Sequence, residues 1–144
     1  VHLLLMSYKN SYGEDLLIPS RNLHSKKEQG ARLFKTKNPV LAHDNGKDPC
    51  LNYANSAALL LWKKCWNEMI GMPSRLTTPN KEQEQRKKAF TKVTTQYAIK
   101  NYQGIRVNSQ GELFIIKNAR IWTILDEANN VVGQAATFNS WWKL

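Results

Sequence analysis

Apolar positions along the chain fall into blocks of helical and extended period, and the order of those blocks predicts the architecture. Leu4, Leu5, Tyr8, Tyr12, Leu16 and Leu17 recur at helical spacing, with Gly13 as a stop signal. They predict a short helix that lays an apolar stripe on a domain. Val40-Leu41-Ala42-His43 and Cys50 to Ala54 are short apolar runs either side of Asp44-Asn45-Gly46. Asn-Gly between two such runs signals a tight hairpin, because both residues accept positive φ. Asn55-Ser56 offers an N-cap for a helix from Ala57 to Trp62. A further helical turn, Trp66 to Ile70, closes at Gly71, and Pro73 makes 72–76 a loop.

Thr78-Pro79 opens the longest predicted helix, with Glu82 and Glu84 in its first turns. Glu82 with Arg86 and Glu84 with Lys88 are spaced for i,i+4 pairs. Phe90, Val93 and Tyr97 define its expected buried stripe. From Gly104 the period becomes extended. Gly104 to Val107 reads as a strand and 108–111 as a turn. Leu113 to Leu125 reads as a long strand with an irregularity at Lys117-Asn118, and 126–130 as a second turn. Val131 to Phe138 is the last strand before Trp141-Trp142.

Five segments then carry a resemblance. They are Ala42-His43-Asp44 with Asp48-Pro49, Asn52-Tyr53-Ala54-Asn55, Met72-Pro73-Ser74-Arg75-Leu76, Asn101-Tyr102-Gln103-Gly104-Ile105-Arg106, and Gly133-Gln134-Ala135-Ala136-Thr137-Phe138. In this order, with Trp122 and Trp141, they resemble the MEKHLA domain. That PAS-like family is found in small cyanobacterial and algal proteins and at the C-terminus of plant class III homeodomain–leucine zipper factors. The resemblance implies an α+β fold: a five-stranded antiparallel sheet with helices over one face and an N-terminal helical extension. The pattern along the chain divides it into a helix and basic connector at 1–37 and the PAS-like domain at 38–144, and the resemblance covers most of both, including the helical start near Tyr8 to Leu17. The resemblance also implies a regulatory or sensory module with no established reaction, so no catalytic residue is carried over. The segment from Glu68 to Leu76 looks like the one that holds the reactive cysteine of flavin-binding LOV photosensors. Ser74 stands at the cysteine position here, and a hydroxyl does not form the thiol–flavin adduct.

The chain has 144 residues and 42% hydrophobic content, enough for one domain with a core. No apolar run approaches the roughly 20 residues that a membrane span needs. Cys50 and Cys65 lack CxxC or ligand spacing, which fits buried free thiols in a reducing compartment, the cytoplasm or a plastid stroma. The chain starts at Val1, which leaves open a removed targeting peptide or flanking domain. The net charge of +10 predicts an acidic partner. An acidic protein leads, and a large acidic assembly such as a photosynthetic complex or nucleoprotein is the alternative. Non-specific nucleic acid contact also fits, but no helix-turn-helix, zinc finger or RNA-recognition signature supports sequence readout.

Catalytic chemistry finds little support. His2, His24 and His43 are dispersed, so no metal site is expected. Asp44, Gly46 and Asp48 resemble a calcium loop but lack the later bidentate Glu. Ser74 lacks a GxSxG setting, and adjacent Asp126 and Glu127 diverge in a turn. A non-enzymatic module is therefore expected. Polar residues within apolar strands need partners if buried. Asn55, Arg106 and Gln134 either bond one another and nearby carbonyls, or line a pocket with Tyr53, Trp62 and Trp122 for an acidic or aromatic small molecule. Lys81, Arg86, Lys87, Lys88 and Lys92 form the candidate basic docking surface.

Overall fold

The computed structural model describes residues 1–18 and 25–144; Pro19, Arg21 and His24 of the expected basic connector lie outside the described residues. Two N-terminal helices, α1 (His2–Tyr12) and α2 (Lys26–Lys35), precede the hairpin strands β1 (Val40–His43) and β2 (Leu51–Ala54). Helices α3 (Ser56–Trp62), α4 (Trp66–Met69) and α5 (Gln83–Gln96) follow, with a 3-10 turn at Ser74–Thr77 between the last two. Strands β3 (Ala98–Val107), β4 (Leu113–Leu125), β5 (Val131–Thr137) and β6 (Ser140–Lys143) complete the chain.

The sheet runs β2-β1-β5-β4-β3, and every pairing is antiparallel. Beyond the five strands expected there is a sixth. β6 continues β5 along the same edge of β4, pairing Phe114–Lys117 where β5 pairs Arg120–Leu125. The irregularity predicted at Lys117-Asn118 is a bulge: Asn118 has φ 54° and the β3–β4 register shifts there. It decides which side chains share a face. Phe114 and Ile116 point to the side covered by α3, α4 and α5, and so does Ala119; Trp122 and Ile124 point to the other.

Helices pack on both faces, one more than the pattern implied. α1 lies on the second face, where Leu4 and Tyr8 are buried against Trp122, with Tyr8 and Trp122 ring centroids 4.9 Å apart. Tyr12 bridges β3 and β4 from the α1 side, its one hydroxyl proton shared between the carbonyls of Ile99 at 2.6 Å and Ile121 at 3.0 Å. The inner side of α1, through Leu4, Ser7 and Tyr8, is thus part of the core. Gly13 stops α1 as expected, at φ 73°.

Three local expectations need correction. Asn45-Gly46 makes no primed turn, since neither residue has positive φ. The Asp44 carboxylate instead accepts from the backbone N–H of Gly46 and of Cys50, both at 3.1 Å, and organises a longer loop. Neither i,i+4 pair of α5 forms: Arg86 bonds Ser74, and no ion pair joins Glu82 or Glu84 among the described residues. Tyr97 is not in the buried stripe. It caps α5 at φ 64° with 54% of its surface exposed, and β3 begins at the next residue, well before Gly104.

Candidate functional site

Asn55 positions the helices that roof the first face. Its side chain is fully buried; Oδ1 accepts from the N–H of Val40 at 2.9 Å and of Ala58 at 3.1 Å. Nδ2 donates to the carbonyls of Asn38 at 2.8 Å and Leu33 at 3.2 Å. One amide therefore caps α3, anchors β1 and ties down the end of α2. From that point α3, α4, the 3-10 turn and α5 arch over the sheet and enclose a chamber.

The chamber is small, about 40 Å³, and mostly apolar, with Leu41, Leu51, Trp62, Ile116 and Phe138 among its walls. By that measure it holds about three water-sized atoms. Next to it lies an open cleft of about 590 Å³ between the β1–β2 loop and α5. His43, Ser74, Arg86, Phe90 and Gln134 belong to both spaces and form the neck between them.

Two guanidiniums face this chamber with no carboxylate beside either among the described residues. Arg106 is only 4% exposed. It donates to the Ile105 carbonyl at 2.9 Å and to the Tyr102 hydroxyl at 3.2 Å. Arg86 reaches inward from α5, donates to Ser74 Oγ at 3.1 Å and stacks over Phe90, its guanidinium carbon 4.1 Å from the ring centroid. Its Nε is buried without a hydrogen-bond partner among the described residues. Burial first, and then the charge of Arg106, pull the Arg86 pKa down to about 10, with Tyr102 acting the other way. Arg86 remains a cation at neutral pH.

Gly104 makes the Arg106 arrangement sterically open. Tyr102, Gly104 and Arg106 alternate onto one face of β3, and a Cβ at Gly104 would lie 2.5 Å from the Tyr102 hydroxyl and 2.7 Å from Arg106 Nη1. At the neck, His43 Nδ1 donates to its neighbour's carbonyl, Asp44 O, at 2.7 Å, and its ring stacks on Phe90 at 5.8 Å. Burial lowers its pKa, against the hydrogen bond to Asp44 and with Arg86 adding to the depression. A Cβ at Gly133 would meet the His43 carbonyl at 2.1 Å, so only glycine lets β5 pass this close to the end of β1.

The MEKHLA domain family model matches residues 1–143. The chain belongs to the MEKHLA domain family. Its fold is PAS-like. It is similar to a PAS domain of a Colwellia psychrerythraea protein at 14% identity and TM-score 0.70, covering 79% of this chain and 94% of that one. It is also similar to an RNA-binding light-oxygen-voltage receptor, at 15% identity and TM-score 0.68. There the match covers 87% of this chain but only 36% of the receptor. A light-oxygen-voltage domain studied with a flavin analogue gives 14% identity and TM-score 0.64, covering 85% and 87% of the two chains. No curated protein matches.

In this MEKHLA domain the expected pocket residues separate. Trp62, Arg106 and Gln134 do line one chamber. Trp122 is on the opposite face of the sheet, under α1, with its indole N–H donating to the Leu4 carbonyl. Tyr53 also packs on that second face, edge-on to Trp66; burial raises its pKa to about 12, and its hydroxyl has no partner among the described residues. Asn55 is spent on backbone groups and does not line the chamber. Of the basic set, Lys81, Lys87, Lys88 and Lys92 are exposed and make no ion pair among the described residues, while Arg86 turns inward. Pattern reading passed over Tyr102 and Phe90 as site residues; the alternation of Tyr102, Gly104 and Arg106 was the available signal.

Proposed function

We propose that this MEKHLA domain is a non-enzymatic regulatory module that docks on an acidic protein through the outer side of α5 and senses through the inner side. The observation that carries the reading is the two-sidedness of that helix. Arg86 and Phe90 face the chamber and its neck, whereas Lys81, Lys87, Lys88 and Lys92 are exposed and make no ion pair among the described residues. A change in what the chamber holds and a change in how the lysines are presented are thereby mechanically linked. Ser74 at the position of the LOV-like thiol, and a chamber far below the roughly 300–1,000 Å³ of typical small-molecule sites, support a module that works without flavin. Cys50 is half-buried and Cys65 exposed, not buried as expected, because they lie just before β2 and at the N-cap of α4; both are free thiols, which favours a reducing compartment such as the cytoplasm or a plastid stroma.

The test is retention of a partner by the full chain and by a variant with Lys81, Lys87, Lys88 and Lys92 all changed to Glu. Retention of a defined acidic protein by the first and its loss in the second is the expected result. Equal retention by both, or a measured turnover, would refute the docking module. The net charge of +10 favours a second reading, a basic subunit held on a large acidic assembly such as a photosynthetic complex or nucleoprotein by charge alone. In that case association disappears as salt brings the screening length from about 8 Å towards about 3 Å, while a specifically packed complex persists.

A further inference from the structure

We infer that the chamber is a receptor for a small organic carboxylate, whose head group sits between Arg86 and Arg106 and whose apolar tail passes the neck into the open cleft. The inference rests on the reading of α5 as the sensing helix, but binding is measured on the isolated domain, so failure of partner docking would leave it untouched.

Three observations converge. Buried cations are ordinarily paired or hydrogen-bonded throughout, because an unpaired charge away from water is costly. Here two share one small space, and neither has a carboxylate partner among the described residues. A guanidinium carries five N–H donors; among the described residues Arg106 finds two acceptors, Arg86 finds one, and the Arg86 Nε is buried with none. The surplus donors point to an anionic acceptor. The size of the chamber, about 40 Å³, suits the three heavy atoms of a carboxylate. Inorganic phosphate or sulfate has no apolar tail to fill the neck. The neck then explains the tail. Phe90 offers an apolar wall, and Gln134 and the Ser74 hydroxyl are polar groups on the way to a cleft of about 590 Å³.

A planar carboxylate also matches the fork of a guanidinium, which gives two parallel N–H···O bonds and a charge-assisted strength above that of neutral pairs. Occupancy would draw Arg86 towards the chamber and take it off Ser74, and α5 with it.

The experiment is calorimetric titration and thermal unfolding of the domain with sodium acetate, butyrate and hexanoate at constant ionic strength. Chloride, inorganic phosphate and hexanamide serve as controls. Saturable binding of the carboxylates, tighter with chain length, and no response to hexanamide or phosphate beyond that to chloride, is the expected result. Arg86→Gln, on the half-buried helix position, and Arg106→Gln are each expected to weaken hexanoate about tenfold or more, as loss of a charged hydrogen-bond partner should. Carboxylates acting no differently from chloride, or hexanamide binding as well as hexanoate, would overturn the inference. So would undiminished hexanoate binding by Arg86→Gln, whose folding can be checked independently even if Arg106→Gln does not fold.

Discussion

Asn55 and His43 show what single residues contribute here. Asn55 replaces four missing backbone partners at once, so its removal leaves buried N–H and carbonyl groups without acceptors or donors. At about 1–3 kcal/mol for each group left unsatisfied, Asn55→Ala is expected to cost ~3 kcal/mol or more in urea unfolding. A loss under ~1 kcal/mol would show that the side chain is not the hub described. His43 makes the opposite kind of contribution. Burial depresses its folded pKa below the usual value of 6.5, and Arg86 opposes its protonation while Asp44 favours it. The folded state therefore binds that proton less readily than the unfolded chain, and stability falls as pH drops through 6.5 towards the folded pKa. His43→Gln should flatten the unfolding midpoint between pH 7 and pH 5, before the carboxylates titrate. Retention of the full wild-type slope in that variant would assign the dependence elsewhere.

At the scale of elements, β4 is the strand on which the site depends. Its bulge at Lys117-Asn118 lets one 13-residue strand bury Phe114 and Ile116 and, beyond the bulge, Ala119 under the same helices. Were the same thirteen residues to run in regular alternation with no bulge, every side chain beyond 118 would exchange faces, and Trp122 would be driven into the helix-covered side. Asn118 holds the bulge at φ 54°, a conformation that asparagine and glycine tolerate and β-branched residues do not. Asn118→Gly is expected to be near neutral and Asn118→Val to cost ~1–2 kcal/mol; chemical denaturation of the pair checks this, and equal midpoints would remove the bulge from the explanation. α5 follows a similar logic. A pattern of lysines with one arginine reads as a uniformly wet face, and only the hydroxyl of Ser74 and the ring of Phe90 bring that arginine inside.

For the whole molecule, the decisive feature is that the sheet is packed from both sides. α1 closes the second face, with Leu4, Tyr8 and Trp122 in one cluster and Tyr12 bonded to two strands. Full burial of a large apolar side chain contributes ~1.5–3 kcal/mol, so a chain beginning at Gly13 should lose at least ~3 kcal/mol and show a red-shifted tryptophan emission from Trp122. An unchanged denaturation midpoint would mean that α1 merely rests on the domain. No helix among the described residues is long and apolar enough to cross a membrane.

What the sequence determined by itself was local and periodic. Asn55 as a cap, Gly13 as a stop and the bounds of β4 follow from residue preferences and alternation, which act over a few neighbours. The strand order and the five motif segments led to the family, which matches residues 1–143. Tertiary structure decided which face each residue took. Tyr53 and Trp122 left the expected pocket because pairing register turned both to the second face, Trp122 under α1 and Tyr53 against Trp66; the place of the β4 irregularity was legible, the face it gave each side chain was not. Arg86 entered the chamber because Ser74 and Phe90, residues 12 positions before and 4 after it, offered a partner and a ring only once the chain had folded over the sheet.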